Sequence, residues 1–337
     1  MQEKKAPLSA FFLAIHLLID YYGYMISLIT QSTLRKGHGE RIMKPFFNPT
    51  IWQQEWKEYG DGAAIRMKRS GIDPATAFNG KAHKFNEQSF NEEGRRRSAR
   101  IVNWLSSRGV KFEGTSILDI GAASGVFTVP FAERGARVTA FESSPPQVEL
   151  LKENTARFTE NKVEIVSGEF EQIDIEAKGW NEAFDLVFVS MCPVVHDWDS
   201  VERILSCARR FAYISMPVSS AESSLVNEVV PLITGEKFQP KITEMAFLLH
   251  LLCLNGYAYE TLVTRELKTT EFTPEEALEH TMIWLSHHNL PADERSRSIV
   301  KQHIRQNYPA DLIQIHEGGR FGKVLIRLQE QNMYVEE

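Results

Sequence analysis

The sequence predicts an α/β fold, a mostly parallel sheet with helices on both faces, and three observations carry that expectation. Short apolar runs alternate with amphipathic segments between residues 116 and 216, the rhythm of strands joined by crossover helices. The run Ser116 to Ile120 (SILDI) leads directly into GAASG, a strand followed by a tight turn almost bare of side chains. At 337 residues, 43% hydrophobic and 24% charged, the chain has an ordinary globular composition and is long enough to bury one large core.

Taken in order, the chain opens with Leu8 to Thr30, an apolar run whose one formal charge is Asp20. Three readings of it stay open. Ser9, His16, Asp20, Ser27 and Gln31 recur at steps of seven and four, one polar stripe on an apolar rod, which suits a packed helix or a homodimer contact. Lys4 and Lys5 before the run, with Arg35, Lys36, Arg41 and Lys44 after it, suit attachment to a membrane through residues 8–30. A natural start at Met43 would instead make residues 1–42 an extension outside the fold.

Residues 43–91, rich in aromatics and glycine with Trp52 and Trp56 one helical turn apart, read as a helical cap. Residues 92–337 form the α/β domain. It begins with a helix from Glu92 to Arg108, with Ile101, Val102 and Leu105 on its apolar face. Strands are expected at Ser116–Ile120, Arg137–Phe141, Val163–Val166, Asp185–Ser190 and Phe211–Met216, with helices at Val126–Arg134, Pro145–Phe158 and Val201–Arg209 between them. A helical insertion over about 218–256 follows, from Ser220–Ile233 and Ile242–Leu254. Then come a strand at Tyr257–Glu266, helices at Thr273–His287 and Asp293–Tyr308, and a last strand at Lys323–Leu328 behind the glycine-rich HEGGRFG.

The net charge of −6 argues against a broad nucleic-acid surface, which needs excess Lys and Arg against phosphates. Cys192, Cys207 and Cys253 form no CxxC pair, as expected of a protein from a reducing, cytoplasmic setting. The ten histidines show no metal-ligand spacing, so no metal is expected.

The bend after the first strand is a ligand cradle. Small residues let a ligand approach the backbone, and a helix start offers unpaired amides. A dinucleotide fingerprint fits it poorly, because G-x-G-x-x-G counted from Gly121 places Ala123 in the middle and Val126 last. Asp119, two residues before Gly121, would also meet a pyrophosphate as a like charge, whereas it would welcome a ligand bearing positive charge.

The same residues resemble the class I S-adenosylmethionine-dependent methyltransferases, whose first motif reads roughly (D/E)-x-G-x-G-x-G. Here it is Asp119-Ile120-Gly121-Ala122-Ala123-Ser124-Gly125, with Ala123 in place of the middle glycine. The resemblance covers about Trp104 to Met216 and implies a Rossmann-like sheet of seven strands with S-adenosylmethionine at its strand ends. It implies that Asp119, Gly121, Ala122, Ala123, Gly125 and Phe127 contact the cofactor. Glu142 with Ser143, ending the second strand, would grip ribose hydroxyls, and Glu169 with Phe170 would hold adenine. Ser190 and Met191, ending the fourth strand, would face cofactor and acceptor.

The implied reaction moves a methyl group from a sulfonium to a nucleophile, so the protein's task is chiefly alignment and dryness. Candidates facing the acceptor are Trp52, Trp56, Cys192 and His196. His196 is the candidate base, with Asp197 or Asp199 either orienting it or capping the next helix. Cys192 reads as a small wall residue, since Cys-Pro reverses the order that cytosine-C5 methyltransferases of DNA use. Asn-Pro-Pro-Tyr is absent, so the expected acceptor is a small molecule and not nucleic acid. Two alternatives remain: a SAM-binding subunit or sensor without turnover, and a membrane-associated enzyme methylating a lipid or quinone intermediate.

Overall fold

In the computed structural model, β1 (Ser116–Ile120), β2 (Arg137–Glu142), β3 (Val163–Ser167), β4 (Phe184–Ser190) and β5 (Ala208–Pro217) lie parallel in the order β3-β2-β1-β4-β5. The sheet continues through the two-residue β6 (Glu222–Ser223), β7 (Ala258–Phe272) and β8 (Ile313–Arg327), with β8 antiparallel to β5, β6 and β7. The structure describes residues 46–60, 79–159, 161–219, 221–238, 244–288 and 290–329, together with positions 62, 65, 67, 73 and 76. The readings of residues 1–42 fall outside these.

The helices are α1 (Pro49–Tyr59), α2 (Ala82–Phe90), α3 (Glu92–Ser107), α4 (Thr128–Glu133), α5 (Pro145–Thr155), α6 (Trp198–Ser206), α7 (Ser224–Thr234), α8 (Met245–Leu254), α9 (Pro274–His287) and α10 (Glu294–Asn307). The chain divides into two units, residues 1–51 and 52–337. The described residues of the first are 46–51, ending within α1. Among the described residues no helix is long and apolar enough to cross a membrane.

Ile117, Leu118 and Ile120 of β1 are all buried although they alternate sides, so both sheet faces are covered, as a parallel sheet requires. On one face Val102 and Leu105 of α3 and Phe131 of α4 join Ile117, Val138, Leu186, Phe188, Tyr213 and Leu325 in a single core. The α3 start follows from Asn91, whose side chain accepts a 2.9 Å hydrogen bond from the Gly94 amide, with Glu92 and Glu93 in the first turn.

The parallel half matches the sequence expectation closely, and the second half departs from it. The sheet has eight strands in place of seven, because Glu222 and Ser223 pair with Gly318 and Glu317. β7 and β8 are each fifteen residues long, well beyond the expected Tyr257–Glu266 and Lys323–Leu328. HEGGRFG lies inside β8 and not before it. Its glycines permit close approach: a Cβ on Gly318 would sit 1.8 Å from the Glu266 carbonyl oxygen, and one on Gly322 would sit 2.4 Å from the Met245 side chain. The added length of β8 carries Ile313 and Ile315 into a separate core with Leu225, Val229, Leu285 and Val300 of α7, α9 and α10.

Candidate active site at the strand ends

The carboxyl ends of β1 to β4 surround a cavity of about 290 Å³, near the lower end of small-molecule sites. It is lined by Asp73, Ile120, Gly121, Phe141, Ser143, Gly168, Glu169, Phe170, Glu171, Gln172, Cys192, Pro193, Val194 and His196. Three lining residues are acids, and among the described residues none is Lys or Arg. Such a mouth attracts cationic ligands and repels phosphates.

The turn after β1 is built from within. The Gly121 and Ala122 amides both donate to the Phe141 carbonyl, at 2.9 and 3.0 Å, and the Ala123 amide donates to Glu142 Oε2 at 2.7 Å. Gly121, Ala123 and Gly125 have φ of +74°, +49° and +93°, the left-handed region where a Cβ costs about 1–2 kcal/mol. Gly121 must be bare for a second reason: a Cβ there would lie 2.6 Å from Cys192 Sγ. The nearest claimant on the space is therefore the chain's own thiol.

Behind the turn sit two buried carboxyls. Asp119 Oδ2 accepts from Thr128 Oγ1 at 2.7 Å, and burial pushes its carboxyl up to about 7 against that hydrogen bond, with the Glu142 charge adding to the rise. Glu142 accepts from the amides of Ala123, Ser143 and Ser144, at 2.7, 3.0 and 2.9 Å. Burial still holds it above the usual carboxylate range, those three bonds opposing.

Of the expected cofactor contacts, Gly121, Ser143, Glu169 and Phe170 line the cavity. Asp119 and Glu142 stand behind its wall, with Ala122, Ala123 and Gly125 in the turn. Phe127 packs into the core at 4.6 Å from Phe188, Ser190 bonds Ser215 at 3.0 Å, and Met191 is exposed with φ of +55°. Glu169 accepts from Gln172 at 2.6 Å, and Phe170 is buried edge-on to Phe141.

Of the acceptor candidates, Cys192 and His196 line the cavity. Trp52 and Trp56 are buried against α8, Trp56 stacked on Phe247 and Trp52 edge-on to His250 at 4.5 Å. Burial pushes the Cys192 thiol up to about 12, so it stays protonated and uncharged near neutral pH. Asp197 is the cap of α6, in a reciprocal box with Ser200, while Asp199 pairs with Lys57 at 2.5 Å. Sequence reasoning missed the asparagines that tie neighbouring elements to the turn. Asn154 of α5 donates to both Asn86 of α2 and the Ser124 carbonyl at 2.8 Å, and Ser144 Oγ donates to Asn79 at 2.6 Å. No local pattern marks such long-range pairs.

Residues 117–212 match the family model for a methyltransferase domain. Over 92 residues the chain is 33% identical to the cypemycin N-terminal methyltransferase of a Streptomyces species, spanning 27% of this chain and 34% of that relative. Among solved structures, the YcgJ protein from Bacillus subtilis is 12% identical with a TM-score of 0.43, covering 70% of this chain and 100% of that one. Magnesium protoporphyrin IX methyltransferase from Synechocystis PCC 6803 is 18% identical with a TM-score of 0.38, covering 64% of this chain and 92% of that one. The domain match spans β1 to β4, whose ends surround the acidic cavity, and the first half of β5. Over residues 117–212 the chain is therefore similar to methyltransferase domains, the same stretch whose motifs resemble the class I S-adenosylmethionine-dependent methyltransferases.

Proposed function

We propose that the protein transfers a methyl group from S-adenosylmethionine to a small-molecule acceptor. The observation that carries this reading is the cavity at the ends of β1 to β4, walled by Asp73, Glu169 and Glu171 with no cationic side chain among the described lining residues. A sulfonium nucleoside bearing an amino group suits those walls, and a pyrophosphate-linked one does not. Gly168 fits the same ligand, since a Cβ there would meet only Phe141, at 3.7 Å.

On this reading Glu169 and Phe170 hold the base, and Ser143 the ribose. Glu142 acts from behind by fixing the Ala123, Ser143 and Ser144 amides. Asp119 is buried beneath the turn, and a bound cation would draw its carboxyl, raised to about 7 by burial, towards the ionised form. When bound, the cofactor supplies an electrophilic methyl group; the chain contributes alignment and exclusion of water, worth about 7–11 kcal/mol when the geometry is good. Cys192, Pro193 and Val194 wall the acceptor side.

The test is calorimetry with S-adenosylmethionine, followed by transfer of a labelled methyl group into a pool of small metabolites. Labelled product supports the reading; tight binding with no S-adenosylhomocysteine formed from any pool means a sensor or subunit. Partitioning of the full chain onto vesicles, with and without residues 1–42, tests the membrane-associated alternative.

A further inference from the structure

We infer that His196 Nε2 is the proton acceptor of the transfer and that the acceptor substrate is an amine that is protonated in solution. This rests on the methyltransferase reading above and adds to it the base, its tautomer and the class of nucleophile.

His196 lines the cavity on a loop whose conformation is fixed from both sides. Its backbone amide donates to Ser200 Oγ at 3.1 Å, and Ser200 belongs to the capping box that starts α6. Its ring Nδ1 lies 3.0 Å from the Val194 carbonyl oxygen. A carbonyl can only accept, so Nδ1 carries the ring proton and Nε2 is left with a lone pair. Among the described residues Nε2 makes no hydrogen bond. Its closest charged neighbour among the described residues is Asp197 Oδ2 at 4.0 Å, too far for a hydrogen bond. The other titratable groups around the cavity are Asp73, Glu169, Glu171 and Cys192, and the Asp199–Lys57 pair lies on the adjoining helices. Between the two acceptor-side candidates that line the cavity, a half-buried, tautomer-locked imidazole and a thiol that stays protonated, His196 and not Cys192 is the group able to take a proton.

The cavity wall narrows the nucleophile. A carboxylate or phosphate acceptor would enter among like charges, and the carboxylate would have no proton to give the histidine. An ammonium group is drawn to those acids and cannot attack until it loses a proton. Nε2 takes one proton from it, and the freed nitrogen lone pair forms the bond to the methyl carbon. The electrons of the breaking carbon–sulfur bond stay on sulfur, so the sulfonium charge is lost there as the nitrogen becomes a methylated ammonium. His196 then releases its proton to water.

The experiment uses the full chain with methyl-labelled S-adenosylmethionine and a fixed panel: benzylamine, an unblocked alanyl dipeptide amide, benzoate, inorganic phosphate and phenol. Wild type is expected to methylate an amine. His196→Gln should keep cofactor affinity and melting temperature while kcat falls about 10² to 10⁴-fold, with the acid limb of its pH–rate profile removed. Nitrogen-15 spectra of the wild-type imidazole, assigned by their loss in His196→Gln, should show the Nδ1-protonated form. Three results would overturn the inference while cofactor binding stands: the Nε2-protonated tautomer, an unchanged rate in His196→Gln, or label passing to none of the amines. Failure of wild type to bind S-adenosylmethionine would instead overturn the reading beneath it.

Discussion

At Gly121 two costs coincide, a left-handed backbone and a Cβ 2.6 Å from Cys192 Sγ, and they can be separated. Gly121→Ala should destabilise the protein by about 2–4 kcal/mol in urea unfolding, and adding Cys192→Ala should restore the steric share but not the backbone share. Additive effects of the two changes would show that the thiol is not what bars a side chain there. Ala123 sits at φ of +49° where the family pattern has glycine. Ala123→Gly relieves that strain but loosens the unfolded chain, so the expected stability change is within about 1 kcal/mol, without loss of cofactor affinity.

Asp119 makes a pH prediction with a definite sign. Its carboxyl is raised by burial from 3.8 to about 7, so between those values the folded chain holds a proton that the unfolded chain has lost. Its contribution to stability is therefore complete below about pH 4 and is lost as pH rises towards 7. The difference in unfolding free energy between wild type and Asp119→Asn, measured from pH 4 to 8, should show that slope; a flat difference would remove the buried acid from the account. A bound cation favours the ionised form, so cofactor binding near neutral pH should release protons, visible as a binding enthalpy that varies with buffer.

At the scale of elements, Asn154 joins α5, α2 and the turn through one amide group. Asn154→Ala should raise the cofactor dissociation constant several-fold at a stability cost of about 1–2 kcal/mol. The Lys57–Asp199 pair is largely exposed, and removing it should change stability by less than about 1 kcal/mol. Sequence reading reached the parallel strands because they are apolar on both faces and bounded by turn residues. β7 and β8 defeated it because their polar outer positions and the HEGGRFG glycines read as loop, although pairing on two sides holds Gly318 and Gly322 in a strand. The tight bend after β1 was legible in the run from Asp119 to Gly125, yet its spacing could not tell that Glu142 accepts from three backbone amides. For the same reason Glu142→Ala should cost folding stability, by leaving those donors unpaired.

At the scale of the molecule, charge selects the ligand. The net charge is −6, and the cavity concentrates acids at the sheet's carboxyl edge while the nearest polar donors are turned inward to hold the backbone. This arrangement suits a cationic nucleoside held from below by negative groups, beside the loop after β4 that lines the same cavity. It separates the protein from dinucleotide enzymes that share the strand–turn–helix motif, where a phosphate requires free amides and no acid at the bend. The most direct measurement is titration calorimetry of the full chain with S-adenosylmethionine and with NAD at neutral pH. The account predicts saturable binding of S-adenosylmethionine, at least tenfold weaker in Asp119→Asn, and no heat from NAD. Binding of NAD without S-adenosylmethionine, or equal affinity in wild type and Asp119→Asn, would contradict it.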